Sequence, residues 1–370
     1  MQKWTKIGVA VVIALALVAG GAYAYLTSSA PANPCAGVAT GIPASGSSAS
    51  VVPAQTSASA AHASSPVARP PLHGSQGPSA TDSSAQPKAA GTSGVIQVVA
   101  AENFWGSLVS QLGGNQTSVL SIVSDPNADP HEYEANTSDA VAITNAQFII
   151  VNGVGYDDWA LQLISAESTP NQVVLNVGDL NGVTLGGGIV SGNPHMWYNP
   201  VYVNHTVAAM YSDLVKIAPG DTSYFQQNYA ALNVSLATLY GEATAIKTHF
   251  AGTVVAATES IFVYLANFTG LDLVSPQEFM EAVAEGNDPP ASTVVTFQCQ
   301  LESGGVKVLV YNWQTVTPTT DSLKSIAAQN DVPIVGVTET IQPPGVTFEA
   351  WMYAQYLQLY NALNANALGQ

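Results

Sequence analysis

The sequence has few charged residues and very few positive ones. Charged residues make up 9% of the 370 positions, and 8 lysines and arginines stand against 25 aspartates and glutamates, which gives a formal net charge of −17. Beyond residue 94, the basic side chains other than histidine are Lys216, Lys247, Lys307 and Lys324. An acidic surface repels the phosphates of nucleic acids, so nucleic-acid binding is excluded.

Cysteine is almost as scarce, with two residues, Cys35 and Cys299. They form no cysteine-based zinc motif. Cys35 follows Asn33-Pro34, which lacks the small residues expected before a lipidated cysteine. Cys35 also lies in a stretch that is not expected to fold, whereas Cys299 lies in a predicted helix, so we do not expect a disulfide between them.

Apolar residues are plentiful at 47%, and the first long apolar run lies near the N-terminus. Lys3 and Lys6 precede an uncharged run over residues 7–26, about 20 residues, which is long enough to span a bilayer. We interpret residues 1–26 as a signal peptide or membrane anchor that leaves the rest of the chain outside, and we favour a retained anchor over cleavage.

The next stretch has a different composition. Residues 27–94 consist mainly of Ala, Ser, Pro and Gly and have too few large apolar side chains to form a core. We interpret them as a disordered linker of roughly 68 residues with an r.m.s. reach on the order of 45 Å. The expected result is a folded unit tethered outside the membrane.

Strand-like and helix-like segments alternate beyond the linker. Apolar runs such as 148–151 predict buried strands, and segments such as 200–217 have helical spacing. This alternation predicts two α/β lobes with mostly parallel sheets, over residues 95–220 and 251–370. Residues 221–250 form a helical stretch of about 45 Å, which is too long for an ordinary crossover. We interpret it as a rigid helix that joins the two lobes.

Two histidines lie in proline-containing loops of the N-terminal lobe. His131 follows Pro130 after a strand-like run, and His195 follows Pro194. Proline fixes φ and favours extended structure in the residue before it, so each Pro-His pair is a stiff loop that presents an imidazole. Neutral imidazole is the commonest side-chain metal ligand. We therefore predict a divalent metal site with His131 and His195 as two of its ligands.

Two glutamates hold comparable positions in the C-terminal lobe. Glu259 and Glu339 follow the predicted strands 253–257 and 333–337. Ligands of α/β lobes bind outside the carboxyl ends of strands. Either glutamate alone would more simply satisfy backbone N–H groups at the start of a helix or loop. In combination with the two Pro-His loops, they complete a predicted four-ligand site.

Six short motifs extend this interpretation. They occur in the order Asn103-Phe104-Trp105-Gly106, Asp129-Pro130-His131-Glu132-Tyr133-Glu134, Asn152-Gly153-Val154-Gly155-Tyr156-Asp157-Asp158-Trp159, Asn193-Pro194-His195-Met196-Trp197, Glu285-Gly286-Asn287-Asp288-Pro289-Pro290 and Val337-Thr338-Glu339-Thr340. In this order the chain resembles the zinc/manganese solute-binding proteins of metal ABC importers over about residues 95–368.

The resemblance implies two α/β lobes joined by a long helix, and one metal ion held by His131, His195, Glu259 and Glu339. The position of Glu259 is histidine in typical zinc members and glutamate in typical manganese members. Glu339 stands where aspartate is common. The resemblance also implies zinc or manganese as cargo, an ABC permease in the membrane as partner, and a monomeric protein that is not an enzyme.

The predicted site has two further expected properties. Imidazoles must lose a proton before they coordinate a metal, so affinity is expected to fall below about pH 6. Four aromatic residues are expected near the ligand loops, either around the site or in the core: Tyr133, Trp197, Tyr198 and Trp313.

Three other functions fit parts of the pattern. A metal-dependent hydrolase would need a general base, for which Glu132 or Glu134 could serve, although the chain has no HExxH motif. A surface adhesin with an incidental metal site would use the same anchor and linker. A siderophore or cobalamin carrier on a similar scaffold would need a large apolar cleft.

Overall fold

The computed structural model describes Cys35 and residues 94–367, apart from residues 128, 168, 187 and 189–191. The predicted anchor and nearly all of the predicted linker lie outside these residues. Within the described part, no helix combines the length and the apolar character that a membrane span requires.

The first lobe is built on a sheet of parallel strands in the order β2-β1-β3-β4. Strand β3, one of the two inner strands, is buried throughout because helices cover both faces of the sheet. The strands are β1 (Ile96–Glu102), β2 (Thr117–Val123), β3 (Phe148–Val151) and β4 (Val173–Asn176). The helices are α1 (Asn103–Gly113), α2 (Thr137–Asn145), α3 (Asp158–Glu167) and α4 (Val177–Asn181).

Two longer helices follow, α5 (Pro200–Ile217) and α6 (Thr222–Phe250). The 29 residues of α6 give a length of about 44 Å. Its buried side chains recur at helical spacing and contact both lobes. Helix α6 packs on α1 and α5 of the first part of the chain and on the helices Val263–Thr269 and Phe348–Ala367 of the second lobe. One continuous hydrophobic core includes residues of both lobes and of α6, so α6 is a rigid connection rather than a loose linker.

The second lobe repeats the parallel arrangement in the order β6-β5-β7-β8. Its strands are β5 (Val254–Ala257), β6 (Asp272–Leu273), β7 (Leu309–Asn312) and β8 (Ile334–Val337). Its helices are α7 (Val263–Thr269), α8 (Gln277–Ala284), α9 (Ala291–Glu302), α10 (Pro318–Gln329) and α11 (Phe348–Ala367). Helices α8, α9 and α10 share a second core beneath this sheet. The predicted fold of two α/β lobes joined by a long helix is confirmed.

Several local features differ from the predictions. The sequence predicts a helix over 138–144 with Thr137 or Ser138 as its N-cap, but Asn136 caps α2 instead. The Asn136 side chain accepts from Ser138 N at 2.8 Å, and the Asp139 carboxylate accepts from Asn136 N at 2.8 Å. This reciprocal pair satisfies two orphan donors. Strand β6 and helix α8 were not predicted, because β6 has two residues and α8 follows a proline in a short segment.

The expectation that the two cysteines stay unpaired was wrong, since Cys35 and Cys299 form a disulfide. Cys299 lies in α9 and is 2% exposed. The expectation failed because a disulfide can hold a segment in place even when that segment has too few apolar side chains to form a core of its own. A composition too polar for a core therefore does not argue against a disulfide.

Candidate metal site

His131 lies on a short 3-10 turn, Pro130–Glu132, that follows strand β2. The side chain of Asp129 accepts a hydrogen bond from His131 N at 3.0 Å and caps this turn. The proline at the first position fixes the backbone there. The imidazole Nε2 is thereby aimed between the lobes, 3.3 Å from Oε2 of Glu339.

His195 is completely buried at the end of the first lobe. The side-chain oxygen of Asn193 accepts from His195 N at 2.9 Å and lies 2.7 Å from the ring Nδ1. Asn193 is itself oriented by donating its Nδ2 to Ser260 O at 2.8 Å. An acceptor beside Nδ1 places the proton there, so Nε2 keeps its lone pair for a metal.

The two glutamates lie at the carboxyl ends of their strands, as predicted. Both are buried, at 1% exposure for Glu259 and 0% for Glu339. His195 Nε2 is 3.1 Å from Glu259 Oε1 and 3.7 Å from Glu339 Oε2. Each of the four predicted residues therefore offers one ligand atom, and these atoms all lie within 4.8 Å of one another.

A side-chain amide of the second lobe links the two carboxylates. Asn312, at the end of β7, donates its Nδ2 both to Glu259 Oε2 and, at 2.7 Å, to Glu339 Oε1. The Thr315 hydroxyl also donates to Glu339 Oε1 at 3.2 Å. The oxygens held in this way are not the ones nearest the imidazoles, so each carboxylate presents one oxygen to the site and one to its own lobe.

Tyr156 supplies a hydrogen bond from the other lobe. Its hydroxyl donates to Glu339 Oε2 at 2.6 Å, and its ring lies edge-on to His131 at 4.7 Å. Sequence reasoning missed Tyr156 and Asn312 as site residues. Tyr156 lies within a quoted motif, and Asn312 ends a strand beside β5 and β8, so the position of each was a usable signal.

The predicted aromatic neighbours divide into two groups. Trp197 packs 5.2 Å from the His195 ring and is stacked on Phe104 at 4.0 Å. Buried Tyr198 donates to Gln355 Oε1 at 2.7 Å. Tyr133 instead packs on Trp159 and donates to Asp139, and Trp313 is 51% exposed. Trp197 is therefore the predicted aromatic side chain that covers the ligand imidazole.

The charges in the site stabilise protonated imidazoles when no metal is bound. Burial by itself lowers the pKa of His195, but the carboxylates of Glu259 and Glu339 outweigh it and raise this pKa to about 9. Burial opposes protonation of His131 too, yet Glu339 raises its pKa. Burial favours the neutral form of Glu339, but the two imidazoles hold its pKa well below the ordinary value. Proton competition with a metal therefore extends well above the predicted limit of about pH 6.

The four residues fit a divalent transition metal. In the part of the chain that the structure describes, His131 Nε2, His195 Nε2 and Glu259 Oε1 are buried and make no hydrogen bond. Buried polar atoms left without partners are rare and call for a partner. Two neutral imidazoles and two carboxylates match the charge of a divalent ion, and this mixed nitrogen and oxygen set is one that zinc accepts.

Access to the site runs through a cavity of about 510 Å³ between the lobes. His131, Tyr156 and Asn193 line it from the first lobe, and Ser260 and Glu281 line it from the second. An ion entering from this cavity meets the imidazole of His131 first.

Other candidate groups lie elsewhere. Glu132 and Glu134, which could have served a hydrolase as bases, are exposed on the outside of the 3-10 turn and beyond it. His205 and His249 are exposed as well, and the His249 ring packs against Tyr360 at 6.1 Å. The structure therefore brings together the four predicted ligands and leaves these other groups at the surface.

Comparisons with known proteins identify the family and the fold. A family model described as ZnuA, zinc-uptake complex component A, periplasmic, matches residues 98–362. A Thermotoga maritima protein named for metal binding is 26% identical over 179 residues, which are 48% of this chain and 63% of that protein. The manganese-binding lipoprotein MntA of Halalkalibacterium halodurans is 26% identical over 220 residues, 58% of this chain and 70% of that one.

A solved structure supports the fold. The periplasmic zinc-binding protein TroA of Treponema pallidum superimposes with a TM-score of 0.63 at 18% identity, over 73% of this chain and 99% of that structure. The residues that the family model matches extend over both lobes and the helix between them.

Proposed function

Because the chain belongs to the ZnuA family of periplasmic zinc-uptake components, we propose that it is an extracytoplasmic solute-binding protein that captures one divalent transition metal ion between its lobes. It delivers the ion to the permease of an ABC importer. The observation that carries this proposal is the convergence of four ligand atoms, two from each lobe, within 4.8 Å.

Each ligand residue has a defined task. His131 and His195 donate neutral nitrogen lone pairs, and Glu259 and Glu339 supply the two negative charges that balance the ion. Asn193 keeps the His195 proton on Nδ1, and Asn312 orients both carboxylates. The shielding by Trp197 keeps water away, which strengthens ion–ligand attraction.

Release follows from the division of ligands between lobes. A small rotation that separates the lobes lengthens the bonds from one pair of ligands and frees the ion. The continuous core along α6 limits such a rotation. Hydrogen bonds across the gap, such as Tyr156 to Glu339 and Ile341 N to Asn103 Oδ1 at 3.0 Å, favour the closed arrangement.

Zinc or manganese is the cargo we propose. Relatives are named for both metals, since MntA is named for manganese binding and TroA for zinc binding. Asn312 holds one oxygen of each glutamate, which supports one-oxygen coordination by each and a four-coordinate ion. Four-coordinate geometry is what zinc adopts most readily, whereas manganese takes more oxygen ligands.

The place and state of the protein follow from the same reasoning. The related MntA is named a lipoprotein, and we propose that residues 7–26 tether this chain outside the membrane in an analogous position. One chain supplies the full ligand set. A second copy is not needed to complete the site, which supports action as a monomer.

Metal titration of the purified, chelator-treated protein tests the proposal. We expect one zinc or manganese ion per chain in calorimetry, and loss of tight binding in His195→Ala and in the isosteric Glu259→Gln. Glu278→Gln, at an exposed position of α8 in the same lobe, is the matched control and should bind normally. Tight stoichiometric binding in both site variants would overturn the assignment.

A growth experiment separates import from other uses of the site. Cells that lack the gene should grow poorly on chelated medium, and the wild-type gene but not the His195→Ala gene should restore growth. Equal growth with and without the gene under several limiting metals would contradict a role in uptake.

A further inference from the structure

The disulfide joins a residue near the start of the predicted linker to a rigid part of the second lobe. Cys299 lies in the last part of α9, and its neighbours Phe297 and Leu301 are fully buried in the core beneath the second sheet. Cys35 is therefore fixed to a helix that cannot move independently of the lobe. With its sulfur committed to Cys299, Cys35 is not free to carry a lipid.

The position of Cys35 in the chain decides which segment connects the N-terminal apolar run to the folded part. Residues 27–34 connect the N-terminal apolar run to Cys35, and residues 36–95 connect Cys35 to the first strand. We propose that the membrane leash of this protein is residues 27–34, fastened through Cys299 to the C-terminal lobe, and that residues 36–95 form a closed loop that carries no tension. This inference rests on the retained anchor of the proposed function.

The disulfide shortens the tether considerably. Residues 27–34 extend to at most roughly 28 Å at about 3.5 Å per residue. The whole of residues 27–94 would extend to at most roughly 240 Å at the same rise per residue. Attachment through Cys35 therefore keeps the folded part nearer to the membrane than attachment through residue 95 would.

The point of attachment leaves the metal site accessible. Helix α9 ends at Glu302 and β7 begins at Leu309, so the disulfide lies toward the amino ends of the strands. The four ligands lie at the opposite edge, beyond the carboxyl ends. The leash is thus fastened to the lobe away from the cavity through which the ion passes.

Cleavage of the loop tests this connection in the full chain. A site for a sequence-specific protease is inserted near residue 70, and membranes from cells that express the protein are treated with the protease. We expect the folded part to stay with the membrane after cleavage and to be released when a reductant is added. Because Cys35 and Cys299 are the only cysteines of the chain, the reductant acts on this bond alone.

Two variants serve as controls. In Cys35→Ser and Cys299→Ser, cleavage alone should release the folded part, with no further effect of reductant. Release of the wild-type folded part without reductant would overturn the proposal, and so would recovery of the uncleaved protein in the soluble fraction. Metal titration of the uncleaved protein reports on the proposed function separately, because the four ligands do not include either cysteine.

Discussion

Removal of the Asn312 amide should change which metal the site prefers. Asn312 is 1% exposed and donates to one oxygen of each ligand glutamate. In Asn312→Ala, Glu339 Oε1 retains the Thr315 hydroxyl at 3.2 Å, whereas Glu259 Oε2 loses the donor that holds it. That oxygen is then free to turn toward the ion, and Glu259 can bind through both oxygens.

The size of the effect follows from the lost contacts. A hydrogen bond to a charged group contributes about 1.5–3 kcal/mol, and loss of a residue that orients a metal ligand costs roughly 10–100-fold in affinity. Zinc affinity should therefore fall by at least about tenfold. Manganese gains an oxygen ligand in exchange, so the zinc-to-manganese affinity ratio should fall roughly tenfold, which is about 1.4 kcal/mol.

Competition calorimetry with both ions measures this ratio, and X-ray absorption measures the coordination number of bound zinc. The number should rise from about four in the wild type to five or more in the variant. Asn330→Ala is the matched control, because Asn330 bonds to a backbone carbonyl at the exposed end of α10. An unchanged affinity ratio, or an equal loss for both metals with unchanged coordination, would refute the reasoning.

Three further results are expected. Tyr156→Phe removes the bond to Glu339 and should weaken metal binding about tenfold in calorimetry, whereas Tyr311→Phe, which removes a similar hydroxyl 2.9 Å from the carboxylate of Asp321, should leave affinity unchanged. Equal affinities in both would count against an inter-lobe role. Asn193→Ala should weaken zinc binding by roughly 10–100-fold because the proton of His195 is no longer held on Nδ1, and unchanged binding would contradict that role. In the metal-free protein, the raised pKa of this histidine adds stability that is complete below about pH 6.5 and is lost as the pH rises through about 9. Its melting temperature in scanning calorimetry should therefore fall over this range while that of the loaded protein falls less, and parallel curves would contradict the shift.

The sequence was most informative where a local signal coincided with the tertiary structure. Helix α5 begins at Pro200 and ends at Ile217 as predicted, because Asn199 caps it and proline suits its first position. The four ligand candidates also converge as expected, since proline-stiffened loops and the carboxyl ends of parallel strands are positions that the chain order nearly determines.

The remaining features depend on side-chain directions and distances that no local pattern encodes. The sequence positions of Asn312 and Tyr156 make them candidates, but their contacts with the glutamates depend on the register of β7 and on the path of the Gly153–Tyr156 turn. The disulfide escaped prediction because it joins residues 264 positions apart, one of them in a stretch with few large apolar side chains. Long-range pairing of this kind leaves no periodicity in the sequence.

A diffraction experiment on metal-loaded crystals at the absorption edge of the bound ion would test the central claim most directly. The account predicts one strong anomalous peak between the lobes, at about 2.0–2.2 Å from His131 Nε2, His195 Nε2 and one oxygen each of Glu259 and Glu339. A peak held by residues of a single lobe, or one located away from these four side chains, would contradict it.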